Sequence, residues 1–590
     1  MVTESELIIG IDLGTTNSEV AIVDAGHPRI IPVDEAQLLP SVVGLDQTGE
    51  LLIGTPAHNQ YALYPERTVR SIKRSMGQDI EIVLDDQRFR PQEISALILR
   101  RLKQTAETEL GSPVGKAVIT VPAYFSDAQR QATKDAGELA GLEVVRIINE
   151  PTAAALAYEG ESQQRRQILV YDLGGGTFDV SVVRMEQGVT EVLGSHGNNH
   201  LGGDDFDNKI IEHLVMHLQT THGVDPSGNR QAMARIGRAA ESAKITLSNA
   251  PYVTIEEEYL LEDKQGTPIH LSLELARHDY EAMIEPYIEE TLEAVHIALD
   301  GAGLNVADLD EVLLVGGTTR TPLIQQRLEE ILSLQPRSEI DPDLCVATGA
   351  AVQAAVIAGQ QVGRVLVDIT PYTFGTSALA DFQGELYPYT FIPMIRKNSS
   401  IPVAKSDVFG TVMPGQQAVQ IDVYQGEDPD ALNNTEIGSF IVSGLNPKAP
   451  AGNQVLCNFS LDINGILQVT ATEKETGLSK QITIENATGR LSEDQLSDAR
   501  QRLDSMTGGS SVAPQEGAAA SPAGSDQQQI KRAEELLGKA ERLLETVASA
   551  DRDDLIELME AVREALNAAD AGDLAARVEE LAELIYFLES

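Results

Sequence analysis

The sequence contains no tryptophan and is poor in aromatic residues, cysteine and positive charge. Aromatic residues make up 4% of its 590 residues, and the two cysteines, Cys345 and Cys457, lie far apart in apolar surroundings. Such cysteines predict small buried side chains rather than a disulfide or metal framework, as suits a reducing cytoplasm. The 44 lysines and arginines against 90 acidic residues give a formal net charge of −46. This charge would repel nucleic acid and anionic bilayers, so we expect neither as the main partner.

Long hydrophobic runs are missing as well. The first six residues are acidic and the apolar stretch after them is short, so we expect no signal peptide, membrane span or lipid anchor. The 42% hydrophobic content is nevertheless ample for packed domains. Because single cores stop growing near roughly 250 to 300 residues, a chain of this length predicts several domains. We therefore expect a multidomain cytoplasmic protein.

The most informative pattern is a repeated Asp-Leu-Gly turn, at residues 12–16 and again at residues 172–177. Each turn lies between two apolar runs of β type, so both predict hairpins. Glycines let backbone N–H groups approach a phosphate, and an aspartate at a strand end can hold hydrated Mg²⁺. A P-loop or dinucleotide fold would lead from strand into helix with a different glycine spacing. Asp and Gly are also ordinary turn formers, but two copies in matching contexts favour a nucleotide site.

The pattern of apolar and polar residues changes at several points along the chain, and these changes divide it into segments. Residues 1–362 mix apolar runs with helical periodicity, as an α/β domain does. From residue 371 apolar and polar residues alternate, as in β-strands, and the pair Asn464-Gly465 between two such runs predicts a hairpin turn. We predict this order: α/β domain 1–362, interdomain linker 363–370, antiparallel β-sandwich 371–488, short helix 489–506, flexible Gly/Ser/Pro-rich tether 507–527, and small α-helical bundle 528–590.

Further motifs follow the first turn in a fixed order, at residues 71–74, 120–125, 149–155, 241–248, 315–320 and 341–343. Together they resemble the DnaK-type heat-shock chaperone family over residues 7–370, and less strictly to residue 488. The resemblance implies an actin-like two-lobed ATPase that uses ATP/ADP and Mg²⁺, followed by a β-sandwich that binds extended peptides of unfolded client proteins. It also implies a J-domain co-chaperone and a nucleotide exchange factor as partners.

The resemblance assigns roles to individual residues of the ATPase domain. Asp12 and Asp172 would hold Mg²⁺ through water, and Lys73 would orient the attacking water. Hydrolysis of a phosphoryl group depends chiefly on positioning and charge neutralisation, which these groups can supply. The catalytic set is Asp12, Lys73, Glu150, Asp172, Thr177 and Asp179. The ATP-binding set is Gly14, Thr15, Thr16, Gly174, Gly175, Gly176, Glu241, Lys244, Ser248, Gly316, Gly317, Arg320 and Asp343.

The same resemblance implies an interdomain coupling and a peptide groove. The coupling set is Pro122, Arg130, Lys134, Val365, Leu366, Val367 and Asp368. For the linker residues an edge strand of either domain is an alternative that is compatible with docking. The peptide-binding set is Phe374, Thr376, Leu379, Val412, Val419 and Ile421. Val419 and Ile421 could equally be sandwich core.

Three departures from the family pattern accompany these matches. Thr376 stands where the family usually has an aliphatic residue, residues 381–389 are extra, and the tether interrupts the helix that normally leads into the lid. The extra residues resemble the divergent HscC-type branch.

We expect an ATP-dependent chaperone. The rivals are a small-molecule kinase of the same superfold, which would need a general base beside a hydroxyl substrate, and a binding scaffold with a silent ATPase.

Overall fold

The computed structural model describes residues 7–158, 165–337, 341–360, 365–483, 493–506 and residue 577. The chain divides into two compact units, residues 1–509 and 510–590, and residue 577 is the described part of the second. The predicted tether 507–527 and the remainder of the predicted bundle 528–590 lie outside the described residues. So do residues 363–364 of the predicted linker, 484–488 of the β-sandwich and 489–492 of the short helix.

The first lobe is built on a six-stranded sheet in the order β11-β10-β1-β2-β3, with β4 also paired to β2. Its longest helix begins at Pro91 and ends at Leu110, and Gly111 after it adopts a left-handed conformation that glycine favours. The elements are β1 Ile8–Leu13, β2 Asn17–Asp24, β3 His27–Ile31, β4 Leu39–Pro40, β5 Val43–Leu45, β6 Leu51–Ile53, α1 Thr55–Gln60, β7 Thr68–Val69, β8 Ile82–Leu84, β9 Gln87–Phe89, α2 Pro91–Leu110, β10 Lys116–Val121, α3 Asp127–Leu139, β11 Glu143–Asn149 and α4 Glu150–Tyr158.

The second lobe repeats this plan. Its sheet runs β17-β12-β13-β14 and then continues into strands of the linker region. The elements are β12 Arg166–Leu173, β13 Phe178–Glu186, β14 Val189–Asn198, α5 Gly203–His222, α6 Arg230–Asn249, β15 Tyr252–Glu262, β16 Pro268–Ala276, α7 Arg277–Ala302, β17 Glu311–Val315 and α8 Pro322–Leu332. Helix α9 Cys345–Ile357 follows them and packs on strands β1 and β2 of the first lobe.

The two sheets share one pairing pattern around their central hairpins. β1 pairs in parallel with β10 and antiparallel with β2, while β12 pairs in parallel with β17 and antiparallel with β13. The two predicted hairpins are therefore confirmed. Helix α9 returns to pack on α4, and a Cβ at Gly349 would lie 1.7 Å from the Ala153 carbonyl oxygen, so only glycine fits there. Both Asp-Leu-Gly turns thus lie at the same end of equivalent hairpins.

The β domain consists of two antiparallel four-stranded sheets, β20-β19-β23-β24 and β22-β25-β26-β27. Its core packs Ile421 and Phe440 of one sheet with Phe459 and Val469 of the other. The predicted Asn464-Gly465 hairpin is confirmed as the β25–β26 turn. The elements are β18 Val365–Ile369, β19 Phe374–Phe382, β20 Glu385–Ile395, β21 Ser400–Ile401, β22 Val403–Gly410, β23 Ala418–Gln425, β24 Thr435–Ser443, β25 Gln454–Leu461, β26 Leu467–Glu473, β27 Ser479–Thr483 and α10 Glu493–Met506.

The ATPase lobes contact the β domain and helix α10 through several groups of residues. The linker strand β18 pairs in parallel with β14 of the second lobe. The β25–β26 turn contacts the first lobe, where the Ile147 backbone N–H donates to Asn464 Oδ1 at 3.0 Å. Helix α10 buries Ala499 and Leu503 in the core of the first lobe, and Arg502 forms an ion pair with Glu93. Within the described ranges, no helix has the length and apolar character needed to cross a membrane.

Candidate functional site

A cleft of about 350 Å³ opens where the two Asp-Leu-Gly turns face each other. The two turns approach closely: a Cβ at Gly175 would lie 1.9 Å from Thr16 Oγ1 and 3.2 Å from Thr16 Cβ, so a larger residue there would have to displace the Thr16 side chain. Of the predicted catalytic and ATP-binding residues, those that line the cleft are Asp12, Gly14, Thr15, Thr16, Lys73, Glu150, Asp172, Gly174, Gly175, Thr177, Glu241, Lys244, Ser248, Gly316, Gly317, Arg320 and Asp343.

Two predicted residues stand behind the cleft wall. Asp179 is buried, and its carboxylate accepts hydrogen bonds from the backbone N–H groups of Ala123 at 3.2 Å and Tyr124 at 3.0 Å. Gly176 faces the first lobe, where an added Cβ would meet Thr15 and Arg74. Asp179 is therefore placed to hold the segment after β10 rather than to touch a ligand in the cleft.

Lys73 is buried at the floor of the cleft, where it forms an ion pair with Glu150. Burial lowers the pKa of Lys73, but Glu150 and then Asp12 raise it by more, so the ammonium stays charged. Burial raises the pKa of Glu150 to about 7, although Lys73 lowers it in part. The result is a fixed cation beside a carboxyl group that titrates near neutral pH.

Both turn aspartates also have raised pKa values. For Asp12 the main cause is burial, opposed by Lys73 and by the hydroxyl of Thr120, which donates to Asp12 Oδ1 at 2.6 Å. For Asp172 burial is again the main cause, and Glu150 and Asp179 add repulsion. Carboxylates held this close together away from water need a counter-charge. The cleft is thus arranged to take up positive charge between its two aspartates.

We predict that the nucleotide-free protein becomes less stable as the pH rises from about 5.5 to about 7.5, and that Glu150→Gln reduces this loss. The carboxyl group ionises near pH 4.5 when unfolded and near pH 7 in the folded cleft. Between these values the folded state binds more protons, so the free energy of unfolding falls as pH rises, by about 3 kcal/mol from this group. Thermal melting of wild type and variant measures the difference. Equal pH slopes would contradict the assignment.

The outer part of the cleft carries the residues predicted to hold the nucleoside. On α6, Lys244 Nζ lies 2.9 Å from Asp207 Oδ1 and donates to the Gly203 carbonyl oxygen at 3.1 Å. Glu241 pairs across the cleft with Arg70 of the first lobe at 3.0 Å. Ile245 also lines the cleft and is 60% exposed, so it offers an apolar surface at the rim.

On the opposite wall, Arg320 Nη2 donates to Asp341 at 2.7 Å and to Asp343 at 2.9 Å. Gly316 has φ +81° and an added Cβ would lie 2.4 Å from the Leu173 carbonyl oxygen, so the loop can approach β12 only with glycine. One wall therefore presents the charged side chains of α6, and the other combines the charged group around Arg320 with a close-packed glycine loop.

Several residues of the cleft were not predicted from the sequence. The motif-based prediction overlooked Glu19, which faces Asp12 across the first hairpin, although the spacing from Asp12 to Glu19 equals that from Asp172 to Asp179. The other lining residues outside the predicted set come from several elements: Asn17, Leu38, Asp204, Asp207, Asn249, Val315, Thr318, Thr321, Pro342 and Val346. Of these, Val315, Thr318 and Pro342 lie within the motifs at residues 315–320 and 341–343.

The predicted coupling residues are mostly drawn together at the linker. Asp368 is 4% exposed and accepts hydrogen bonds from Asn149 Nδ2 at 2.9 Å and Thr152 Oγ1 at 3.4 Å. Arg130 is buried and donates to the other end of the same amide, Asn149 Oδ1, at 2.7 Å. Pro122 is buried near Arg130, and Lys134 lies one helical turn further along α3, half-buried. In β18, Leu366 and Val367 are half-buried, whereas Val365 is 58% exposed.

The predicted peptide-binding residues divide between the inside and the outside of the sandwich. Phe374, Thr376 and Ile421 are buried, and the Thr376 hydroxyl donates to the Asp422 carbonyl oxygen at 2.7 Å. Val419 is half-buried against the same core, while Leu379 and Val412 are 50% and 58% exposed. The extra residues 381–389 extend the β19–β20 hairpin, which turns at residues 383–384.

The fold and the site define a class of protein: a two-lobed α/β ATPase followed by a docked linker strand and an antiparallel β-sandwich. A family model described as Hsp70 protein matches residues 8–589. Proteins named chaperone protein DnaK from Thermotoga petrophila, Thermotoga sp. strain RQ2 and Thermotoga maritima are each 46% identical over 506 residues, 84% of this chain and 83% of theirs.

The chain therefore belongs to the Hsp70 family. It is an ATP-dependent molecular chaperone, an ATPase that uses ATP or ADP with Mg²⁺. The predicted fold class, a two-lobed ATPase followed by antiparallel sheets, is confirmed. The small-molecule kinase is not favoured. The likeness to the HscC-type branch stays a prediction.

Proposed function

We propose that the cleft hydrolyses ATP with Lys73 orienting the attacking water, and that the docked linker transmits the nucleotide state to the β domain. The observation that carries the proposal is the placement of Lys73 and Glu150, both buried, between the two Asp-Leu-Gly turns. Positioning and charge neutralisation supply most of the rate in phosphoryl transfer, and these groups provide both. The glycine-rich turns would cradle the phosphates with their backbone N–H groups.

The donor set of the cleft fits Mg²⁺. Asp12 and Asp172 supply the hard oxygen ligands that this ion prefers, from opposite walls, and burial raises the pKa of both despite the positive charge of Lys73 nearby. Among the described residues, no group of three acids, histidines or cysteines is arranged to hold a metal directly. The two aspartates would therefore hold the ion through its water shell, with phosphate oxygens completing it. When bound, the ion would neutralise charge on the phosphates.

The coupling we propose follows contacts that begin at the cleft wall. Asn149, which binds Asp368 of the linker, is directly followed by Glu150, which binds Lys73. On the other side, Asp179 holds the backbone of Tyr124, whose carbonyl oxygen accepts a hydrogen bond from Tyr372 of the β domain at 2.8 Å. A ligand that shifts either group would alter the docking of the β domain, as coupling between two sites requires.

The test of this function is peptide release. A fluorescent aliphatic peptide should dissociate from the full chain several-fold faster with ATP and Mg²⁺ than with ADP and Mg²⁺. If ATP leaves the release rate unchanged, the coupling proposal fails, whether or not the cleft hydrolyses ATP.

We predict that the exposed and buried members of the peptide set behave differently on substitution. Val412→Asp should weaken peptide binding by about tenfold or more without changing the melting temperature, because Val412 is an exposed apolar contact. Ile421→Ala should lower the free energy of unfolding by about 2–5 kcal/mol, because it leaves a cavity in the core.

The matched control for Val412→Asp is Leu432→Asp, which makes the same kind of change at a residue that is 57% exposed and outside the predicted set. Fluorescence anisotropy with the peptide and thermal melting measure both effects. Equal loss of peptide affinity in Val412→Asp and Leu432→Asp would remove Val412 from the proposed groove.

We also propose that the chain works in the cytoplasm with a J-domain co-chaperone and a nucleotide exchange factor, as its membership of the Hsp70 family implies. Its clients would be extended apolar segments of unfolded proteins, held by main-chain hydrogen bonds and by apolar pockets.

A further inference from the structure

The two hairpins of the ATPase place an acidic residue at the same position relative to the turn aspartate. Asp12 lies directly opposite Glu19 in the β1–β2 register, and Asp172 lies directly opposite Asp179 in the β12–β13 register. Side chains of directly opposed residues point to the same face of a sheet. Each lobe therefore sets a second acid beside its turn aspartate.

The two second acids have different surroundings. The carboxylate of Asp179 is occupied by two backbone N–H groups and lies behind the cleft wall. Glu19 lines the cleft itself and is 2% exposed. It shares a hydrogen bond with Asp12, but its Oε2 has no hydrogen-bond partner among the described residues. A buried polar atom without a partner is costly, so this oxygen is placed to meet something that enters the cleft.

The charges around Glu19 decide which kind of ligand fits. Asp12 and Asp343 are its negative neighbours, and Lys73 is its positive one. A phosphate oxygen would be repelled by this group of acids. A cation, or the water bound to a cation, would be attracted and would donate to the free Oε2. The carboxyl group of Glu19 therefore points to the metal part of the ligand rather than to its phosphates.

We propose that Glu19 is a third carboxylate of the hydrated Mg²⁺ site: the bound ion displaces to solvent the proton that Glu19 shares with Asp12, and Glu19 then accepts a hydrogen bond from metal-bound water beside Asp12. The inference rests on the proposed function, since it needs Mg²⁺ and nucleotide in this cleft. It assigns Glu19 a positioning role that Asp179, its counterpart in the second lobe, cannot fill from behind the wall. Because partners in the outer shell of a metal typically change its affinity about 10- to 100-fold, the predicted effect is large enough to measure.

The experiment measures ADP affinity against free Mg²⁺ by calorimetry for wild type and Glu19→Gln, which keeps the shape of the side chain and removes its charge. Mg²⁺ should raise the ADP affinity of both proteins. We expect the free Mg²⁺ concentration that gives half of this increase to be about tenfold higher for Glu19→Gln than for wild type. With the metal chelated, ADP affinity should be equal to or higher than that of wild type, because a negative charge near the phosphates is gone. Asp24→Asn, an exposed acid on the same strand, is the matched control and should behave as wild type.

The outcomes separate the inference from the function on which it rests. If wild-type ADP affinity depends on Mg²⁺ and Glu19→Gln shows the same dependence, the role of Glu19 is overturned. If wild type binds ADP without any dependence on Mg²⁺, the proposed metal site itself fails. Thermal melting without nucleotide checks that Glu19→Gln is folded. If it is not, Glu19→Asp, which withdraws the charge by one methylene, must show a weakened Mg²⁺ dependence, and an unchanged one would equally overturn the inference.

Discussion

Lys73→Ala should reduce ATP hydrolysis by at least about 100- to 1,000-fold while leaving Mg²⁺-dependent ATP binding within about tenfold of wild type. Lys73 is a buried cation held between Glu150, Asp12 and Asp172. Its removal takes away the charge that would orient water and offset the charge of the transferring phosphoryl group. Single-turnover hydrolysis and nucleotide titration measure the two effects separately.

Two further variants separate charge from packing at this position. Lys73→Met keeps the apolar stem of the side chain and should be as inactive as Lys73→Ala, because the ammonium group is what acts. Lys264→Ala, an exposed lysine in the turn between β15 and β16, should keep wild-type activity. If Lys73→Ala hydrolyses ATP at the wild-type rate, Lys73 has no catalytic role, and the alternative of a binding scaffold would be favoured.

The parts of the fold that the sequence predicts are those determined locally. The two Asp-Leu-Gly turns and the Asn464-Gly465 hairpin carry their own turn residues between alternating apolar runs, and the structure confirms them. Helix α3 also has a local start: its N-cap Ser126 precedes Asp127, and the Ser126 hydroxyl and backbone exchange hydrogen bonds with Gln129. A motif whose hydrogen bonds join residues close in sequence can be recognised from those residues alone.

The site was predicted less completely because its wall comes from many elements. Glu19 is an acid within an apolar strand, and only the comparison of the two repeats draws attention to it. The peptide set shows a different difficulty. Alternation groups Val419 and Ile421 on one face of β23, but it does not say which face meets the other sheet. The core contacts of Ile421 answer that question in the structure.

The linker was expected as an edge strand of either domain, and β18 pairs with strands on both sides. It continues the ATPase sheet through β14 and pairs antiparallel with β21 of the β domain. Residues 365–367 of β18 pair with β14, and Asp368 and Ile369 pair with β21, so releasing β18 from β14 would also disturb its pairing with β21. This arrangement gives the β domain a direct structural dependence on the second lobe of the ATPase.

Asp368→Ala should abolish the acceleration of peptide release by ATP while leaving basal ATP hydrolysis in place. The substitution leaves Asn149 Nδ2 buried without its acceptor, at a cost of about 1–3 kcal/mol. The substitution also removes the acidic neighbour of buried Arg130. Burial lowers the pKa of Arg130, and Asp368 is the charge that counteracts this most. Since 1.4 kcal/mol is a factor of ten, the docked linker should be disfavoured by about tenfold or more.

Docking can be followed directly because the chain has no tryptophan. Ile463→Trp places a single reporter in the β25–β26 turn, beside the hydrogen bond between Asn464 and the first lobe. In this background Asp368→Ala should shift the emission towards that of an exposed indole, while Glu475→Ala, an exposed acid at the opposite end of the same sheet, should not. Unchanged emission and intact ATP-driven peptide release in Asp368→Ala would show that the nucleotide state reaches the β domain by contacts other than this buried carboxylate.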